Sequence, residues 1–161
     1  MHPTGERHES KNAPLNRSSV LRWNSLEFRP EPQMGTWKLD EAKSKTPAKF
    51  VKNSTVIYAA DGDNVKVTTD GTDSDGKPQH TEWTGKFDGK DYPLTGDSTA
   101  DSRSYKMIDE HTLELTNKKS GKVTTTGHVV VSANGKTRTL HLSGTDSSGK
   151  KVSSVSLYDK Q

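Results

Sequence analysis

The sequence from residue 120 to residue 150 reads SGKVTTTGHVVVSANGKTRTLHLSGTDSSGK. It contains three Gly-Lys pairs, which begin at Gly121, Gly135 and Gly149 and so recur every fourteen residues. Each pair supplies a glycine where a tight hairpin turn needs a positive φ, and β-branched residues are frequent in the intervals. Each interval leaves a strand of about ten residues, roughly 33 Å long. Long strands joined by tight turns form an antiparallel meander, and closing it into a barrel removes its exposed edges.

Turn sequences of this kind recur from residue 53 onward, most of them with Gly or Asn. We therefore predict an all-β fold, a single antiparallel up-and-down meander of about eight to ten strands closed into a small barrel over residues 34–161. A helical turn at residues 40–45 is the one exception that we expect in this part. The predicted strands lie near residues 35–39, 53–60, 64–72, 78–87, 90–94, 103–108, 112–118, 122–131, 136–143 and 151–159.

The composition agrees with a thin core, because hydrophobic residues make up only 27% of the chain. In a barrel only every second residue of a strand has to be apolar. The chain has no cysteine, which excludes disulfides, thiolate metal sites and a cysteine nucleophile. With 24 basic and 21 acidic residues the charge is mixed, so nucleic acid is not an expected partner. No apolar run is long enough to predict a membrane span, and we expect a soluble protein.

Residues 1–33 differ from the rest, since they hold four of the seven prolines. We interpret them as a largely irregular N-terminal arm, disordered at residues 1–14, that could form a short helix at residues 18–25. It lacks the apolar stretch of a signal peptide, and the cellular compartment stays open. The arm is either a passive tail or a segment that docks on a barrel, its own or that of a partner in a homodimer. Its apolar set is Val20, Leu21, Trp23, Leu26 and Phe28.

Alternation within the strands predicts which side chains face the barrel lumen. The predicted inward sets are Val65 with Val67, Trp83 with Phe87, Tyr105 with Met107, Leu113 with Leu115, Leu140 with Leu142, and Val155 with Leu157. Two arginines share these faces: Arg103 has the parity of Tyr105, and Arg138 has the parity of Leu140. An arginine on a lumen face loses hydration unless it is paired or meets a ligand. Both arginines are therefore candidate ligand anchors, although an arginine at the rim with its head in water is the alternative.

The predicted first strand reads Gly35-Thr36-Trp37-Lys38-Leu39, residues 88–93 read DGKDYP, and the chain ends in YDKQ. In these motifs residues 34–161 resemble small, uncharacterised bacterial lipocalin-like proteins of the calycin superfamily, to which lipocalins and fatty-acid-binding proteins belong. The resemblance implies a barrel in which Gly35 and Trp37 plug the closed end. Such proteins usually begin with an export signal, which residues 1–33 do not contain, so the resemblance leaves the localisation open.

The first functional hypothesis is a binding protein that holds one small apolar or flat ligand in the lumen, with or without a carboxylate. The resemblance extends it to fatty-acid-like and tetrapyrrole-like ligands. In fatty-acid-binding barrels, arginines and a tyrosine hold the ligand's carboxylate, and Arg103-Ser104-Tyr105 has that Arg-x-Tyr pattern. The candidate ligand-binding residues are Arg103, Tyr105, Arg138, Tyr58 and Leu140.

Two other hypotheses remain open at this point. One is a hydrolase of a small ester or lactone, with His and Ser or Asp groups at the barrel mouth. The other is a structural barrel whose interior is filled. No motif identifies a nucleophile, and fold alone does not decide function, so an enzyme is the less favoured reading.

Residues that could bind a metal are few. Asp73, Asp75 and Glu82 partly match a calcium loop, but Gly71 stands where its first Asp is expected, so a solvated turn is favoured and calcium is not expected. Surface positions are expected for the histidines, with His80 and His141 facing outward. If adjacent strands brought His128 and His141 together, a metal or haem-like ligand would become conceivable.

Overall fold

The computed structural model describes residues 31–145 and 148–161. The predicted helix at residues 18–25, and the homodimer contact through the arm, lie outside the described residues. The described part contains ten strands. They are β1 (Gly35–Lys45), β2 (Lys52–Asp61), β3 (Asn64–Thr72), β4 (Pro78–Gly85), β5 (Tyr92–Thr95), β6 (Ser102–Asp109), β7 (Thr112–Lys119), β8 (Lys122–Val131), β9 (Thr137–Thr145) and β10 (Lys151–Lys160).

The strands form one closed barrel in which each strand is antiparallel to its neighbours. Every strand pairs with the next one along the chain, and β1 closes the barrel by pairing with β10. The predicted up-and-down meander is thereby confirmed, and the number of strands lies at the upper end of the predicted range. No helix in the described residues has the length and apolar character needed to cross a membrane.

The helical turn predicted at residues 40–45 is wrong, because β1 continues to Lys45. The polar sequence there forms a bulge, where the register between β1 and β10 shifts between Asp40 and Lys45. The Ser44 hydroxyl donates to the Asp40 carbonyl at 2.7 Å and accepts a hydrogen bond from the Leu157 amide at 2.9 Å. Side-chain hydrogen bonds thus replace the missing backbone pairs and keep the strand extended.

The closed end of the barrel is built around Trp37, whose side chain is fully buried. Its indole Nε1 donates to the Gln33 carbonyl at 3.1 Å. Gln33 ends a short 3₁₀ helix (Glu31–Gln33), is itself fully buried, and donates from Nε2 to the His111 carbonyl at 3.0 Å. Gly35 has a φ of 112°, and a Cβ there would come within 2.9 Å of the Lys160 side chain. Gln33, the last residue assigned to the arm, is therefore hydrogen-bonded to residues of the barrel.

The alternation of strand residues predicts most of the lumen correctly, and Val65, Val67, Trp83, Leu113 and Leu115 are all buried. The inward assignment of Val155 and Leu157 is wrong. The buried side chains of β10 are those of Ser154, Ser156 and Tyr158.

Register explains this error. Ser156 lies opposite Leu140, and Ser154 lies opposite Leu142. On the lumen face the small serines of β10 therefore lie beside the large leucines of β9, whereas Val155 and Leu157 lie on the other face of β10. Counting apolar residues within one strand does not reveal this pairing.

Candidate ligand-binding site

The half of the lumen next to the closed end is filled by aromatic side chains. The rings of Trp83 and Tyr105 lie 4.8 Å apart between centroids at an interplanar angle of 79°. Phe87 packs on Tyr105 at 5.4 Å, and Tyr58 packs on Tyr105 at 6.1 Å. These edge-to-face contacts are the favourable geometry for aromatic pairs. This half of the barrel is a packed core.

The opposite, open end contains a cavity of about 130 Å³. The strand ends that meet at the mouth line it, together with the loops between β1 and β2, between β3 and β4, and between β5 and β6. The lining residues are Phe50, Val51, Asn53, Thr69, Ser74, Gln79, Thr81, Asp97, Thr99, Arg103, Asn117, Thr124, Thr125, Leu142 and Thr145. Most of them are polar, which distinguishes this end of the lumen from the aromatic core.

Arg103 is the cationic side chain among these lining residues, and it is only 7% exposed. Its Nε donates to Asn117 Oδ1 at 2.6 Å, and its Nη1 donates to the Tyr105 hydroxyl at 3.3 Å. The Trp83 indole donates to the Arg103 carbonyl at 2.9 Å and fixes the start of β6. Within the described residues Nη2 has no hydrogen-bond partner, and Arg103 forms no ion pair. A buried guanidinium that forms no ion pair with a described residue therefore faces the cavity.

Arg138 lies in the other half of the lumen and is 3% exposed. Its guanidinium carbon lies 5.9 Å from the ring centroid of Trp37, 5.0 Å from that of Tyr58 and 4.9 Å from that of Tyr158. Nη2 donates to the Tyr58 hydroxyl at 3.4 Å, while Nε and Nη1 have no partner in the described chain. Aromatic faces stabilise this cation in place of a carboxylate.

The tyrosines around Arg138 stay protonated at neutral pH. Burial raises the pKa of Tyr158 to about 12 and outweighs the opposite influence of Arg138. Burial also raises the pKa of Tyr58 strongly. Neither hydroxyl therefore supplies a phenolate charge to neutralise the guanidinium.

The structure separates the five predicted ligand-binding residues. Arg103 lines the cavity, whereas Tyr105, Arg138, Tyr58 and Leu140 are buried in the packed half and are absent from the cavity wall. A ligand in the cavity would contact Arg103 without reaching Arg138. A ligand role for the other four residues stays a prediction.

The weak calcium candidates do not come together. Asp73 Oδ1 accepts hydrogen bonds from the backbone amides of Asp75 at 2.9 Å and Lys77 at 3.0 Å, as expected for a turn. Glu82 lies on β4, where it pairs with Lys66 at 3.2 Å and with His80 at 3.2 Å. In the part of the chain that the structure describes, no group of three or more His, Asp or Glu side chains is placed to hold a metal ion.

The histidines predicted to face outward do so. His128 and His141 are exposed and lie directly opposite each other on β8 and β9. His128 Nε2 is 3.8 Å from Glu114 Oε2. The pairing that the sequence left open is thus present, but on the outer face and away from the cavity.

His80 lies between two carboxylates on the outer face, and this arrangement gives a pH-dependent prediction. Its Nδ1 is 2.7 Å from Asp70 Oδ1, and the hydrogen bonds to Asp70 and then to Glu82 raise the pKa of His80. In the unfolded chain the pKa of a histidine is about 6.5. Because the pKa of His80 is higher in the folded protein, the pairing stabilises the fold fully below about pH 6.5. This stabilisation is lost as the pH rises through the pKa of the folded state. We expect an NMR titration to show this raised pKa. Asp70→Asn should return it towards the ordinary value, and an unchanged midpoint would contradict the pairing.

Sequence reasoning missed the polar side chains of the cavity, although a signal for them exists. Thr69 has the parity of Val65 and Val67, Thr81 has that of Trp83, and Asn117 has that of Leu115. All three are buried, and the hydroxyls of Thr69 and Thr81 are hydrogen-bonded to each other. Polar residues that continue an inward apolar alternation towards one end of several strands indicate a polar cavity at that end.

Comparisons with known proteins give a likeness in architecture. No protein-family model matches the chain, and no curated protein matches it. Among solved structures, it is similar to a redesigned beta barrel, mFAP1, bound to DFHBI, with 16% sequence identity and a TM-score of 0.46. The match covers 83% of this chain and 99% of the other.

Proposed function

We propose that the protein binds one small molecule in the open-end cavity and holds its carboxylate on Arg103. The observation that supports this is a buried guanidinium that faces a cavity and has no acidic partner among the described residues. Burying an unpaired charge is costly. A ligand carboxylate would offset that cost with short, charge-assisted hydrogen bonds.

The size of the cavity narrows the ligand class. A volume of about 130 Å³ is well below the roughly 300–1,000 Å³ of pockets for drug-sized molecules. A fatty-acid chain or a tetrapyrrole would have to displace the packed rings of Trp83, Phe87 and Tyr105, whereas a small carboxylate would not. The proposed ligand is therefore small. Membership of the calycin superfamily and a bacterial origin stay predictions of the resemblance.

The hydrolase alternative gains no support from the geometry. That hypothesis places a histidine with Ser or Asp groups at the mouth. Ser74 and Asp97 line the cavity, but no histidine is among the described lining residues. A purely structural barrel is the other alternative, and it predicts that no small carboxylate binds at the cavity.

The test is the substitution Arg103→Met, which keeps the bulk and removes the charge. A hydrogen bond to a charged group is worth about 1.5–3 kcal/mol, so the affinity for small carboxylates should fall by about 10- to 150-fold. Titration calorimetry with D-glucuronate and cyclohexanecarboxylate measures the change. The methyl esters of both acids should bind the native protein and the variant alike.

Lys106→Met is the matched control, because Lys106 is an exposed cation on the same strand. It should leave the affinities for both carboxylates unchanged. Carboxylate binding that survives Arg103→Met would overturn the proposal. Loss of binding in Arg138→Met alone would move the anchor to the closed end.

A further inference from the structure

The chemistry of the cavity wall is more specific than a carboxylate anchor requires. Ten of its residues carry neutral hydroxyl or amide groups: Asn53, Thr69, Ser74, Gln79, Thr81, Thr99, Asn117, Thr124, Thr125 and Thr145. The apolar ones are Phe50, Val51 and Leu142. An aliphatic or flat aromatic acid would cover those polar groups that have no partner in the protein without pairing them, which costs free energy.

Several of the wall's polar groups remain unpaired in the described residues. The Thr99 hydroxyl donates to Asp97, and the Thr124 hydroxyl donates to the Asn117 carbonyl. The hydroxyls of Thr69 and Thr81 pair with each other, so these four are engaged. By contrast, no described residue pairs with the side-chain amides of Asn53 and Gln79, with Asn117 Nδ2, or with the Thr125 hydroxyl. An amide or a hydroxyl both donates and accepts, as do the hydroxyl groups of a sugar.

Asp97 adds a hydrogen-bond acceptor to the wall, and its negative charge disfavours a ligand with a second carboxylate. It lies on the loop between β5 and β6, and its Oδ1 accepts from the Thr99 amide at 2.8 Å and from the Thr99 hydroxyl at 2.7 Å. Its other carboxylate oxygen has no partner in the described chain. That oxygen can accept from a ligand hydroxyl, but it repels a carboxylate placed next to it. One arginine and one aspartate therefore fit a ligand with a single carboxylate and several hydroxyls.

The apolar side of the cavity completes the match. Phe50 is 6% exposed and lines the wall with Leu142. A sugar ring presents C–H groups that pack against such side chains while its hydroxyls point elsewhere. At the roughly 30 Å³ that one water occupies in the liquid, the cavity of about 130 Å³ has room for about four water molecules, so a larger ligand would extend out of the open mouth.

We propose that the ligand is a small polyhydroxylated monocarboxylic acid that enters the cavity from the open end. This inference rests on the proposed function, since it takes Arg103 as the carboxylate anchor. It replaces the apolar or flat ligand expected from the sequence with a hydroxylated one, because the wall carries hydrogen-bonding groups that such a ligand alone would pair.

Three probes separate the hydroxylated ligand from the carboxylate anchor alone. D-glucuronate has both the charge and the hydroxyl groups. Cyclohexanecarboxylate has the charge without hydroxyl groups, and methyl glucoside has hydroxyl groups without the charge. Titration calorimetry should show D-glucuronate binding at least tenfold more tightly than either of the others, since each of them leaves part of the wall unpaired. Equal or tighter binding of cyclohexanecarboxylate would overturn the inference and leave the proposed function standing. If neither acid binds, the proposed function fails as well.

Two neighbouring threonines give a matched pair of variants. Thr125 lines the cavity, whereas Thr126 is exposed on the other face of β8. Thr125→Val should lower the affinity for D-glucuronate about three- to tenfold and leave that for cyclohexanecarboxylate unchanged. Thr126→Val should change neither. If Thr125→Val lowered the affinities for both acids equally, this would contradict a wall that binds the hydroxyl groups of the ligand.

Discussion

Replacing Trp37 by Ala should lower the free energy of unfolding by about 3–5 kcal/mol, the range for truncating a buried aromatic residue. The indole is fully buried at the closed end and donates to the Gln33 carbonyl. It also packs against two cations, with Arg138 at 5.9 Å and Lys160 at 5.3 Å from its ring centroid. Its removal opens a cavity and takes an aromatic face from a buried guanidinium. Urea unfolding followed by circular dichroism measures the loss.

Two variants bracket this result. Trp37→Phe keeps an aromatic face but loses the indole hydrogen bond, so its cost should be clearly smaller than that of Trp37→Ala. Val123→Ala removes an exposed side chain and should stay within about 0.5 kcal/mol of the native protein. A loss below about 1 kcal/mol for Trp37→Ala would contradict the role of the indole as the plug of the barrel.

The sequence predicts the fold well because each turn is specified by the residues that form it. The glycines at positions 121, 135 and 149 all have positive φ, as a tight hairpin turn requires. Strand β8 spans Lys122–Val131, the range that the turn spacing predicts. Local signals of this kind do not depend on distant parts of the chain. The bulge in β1 was missed because it depends on Leu157, a residue more than a hundred positions away.

The candidate site was predicted only in part, for a geometric reason. Alternation identifies Arg103 and Arg138 as lumen-facing, and both are buried. It gives no depth along the barrel axis, which is set by the register of all ten strands together. Arg103 therefore lies at the polar end and Arg138 lies among the aromatic rings, although both arginines show the same alternation with apolar residues in their strands.

Gly96→Ala should be the second strongly destabilising substitution, with a loss of about 3 kcal/mol. Gly96 follows β5 with a φ of 88°, a conformation that costs an alanine about 1–2 kcal/mol. A Cβ at this position would also overlap the backbone carbonyl of His80, so β4 and β5 would have to move apart. Such forced displacements cost about 1–3 kcal/mol. Urea unfolding measures the loss.

Gly135→Ala is the matched control, since Gly135 has a similar φ of 74° but open space where the Cβ would lie. It should show only the conformational cost, so the difference between the two variants isolates the clash with His80. Because Gly96 begins the loop that carries Asp97 and Thr99 to the cavity, its substitution should also weaken D-glucuronate binding, whereas Gly135→Ala should not. Equal destabilisation by the two alanines would show that no close contact between β4 and the turn after β5 constrains the cavity wall.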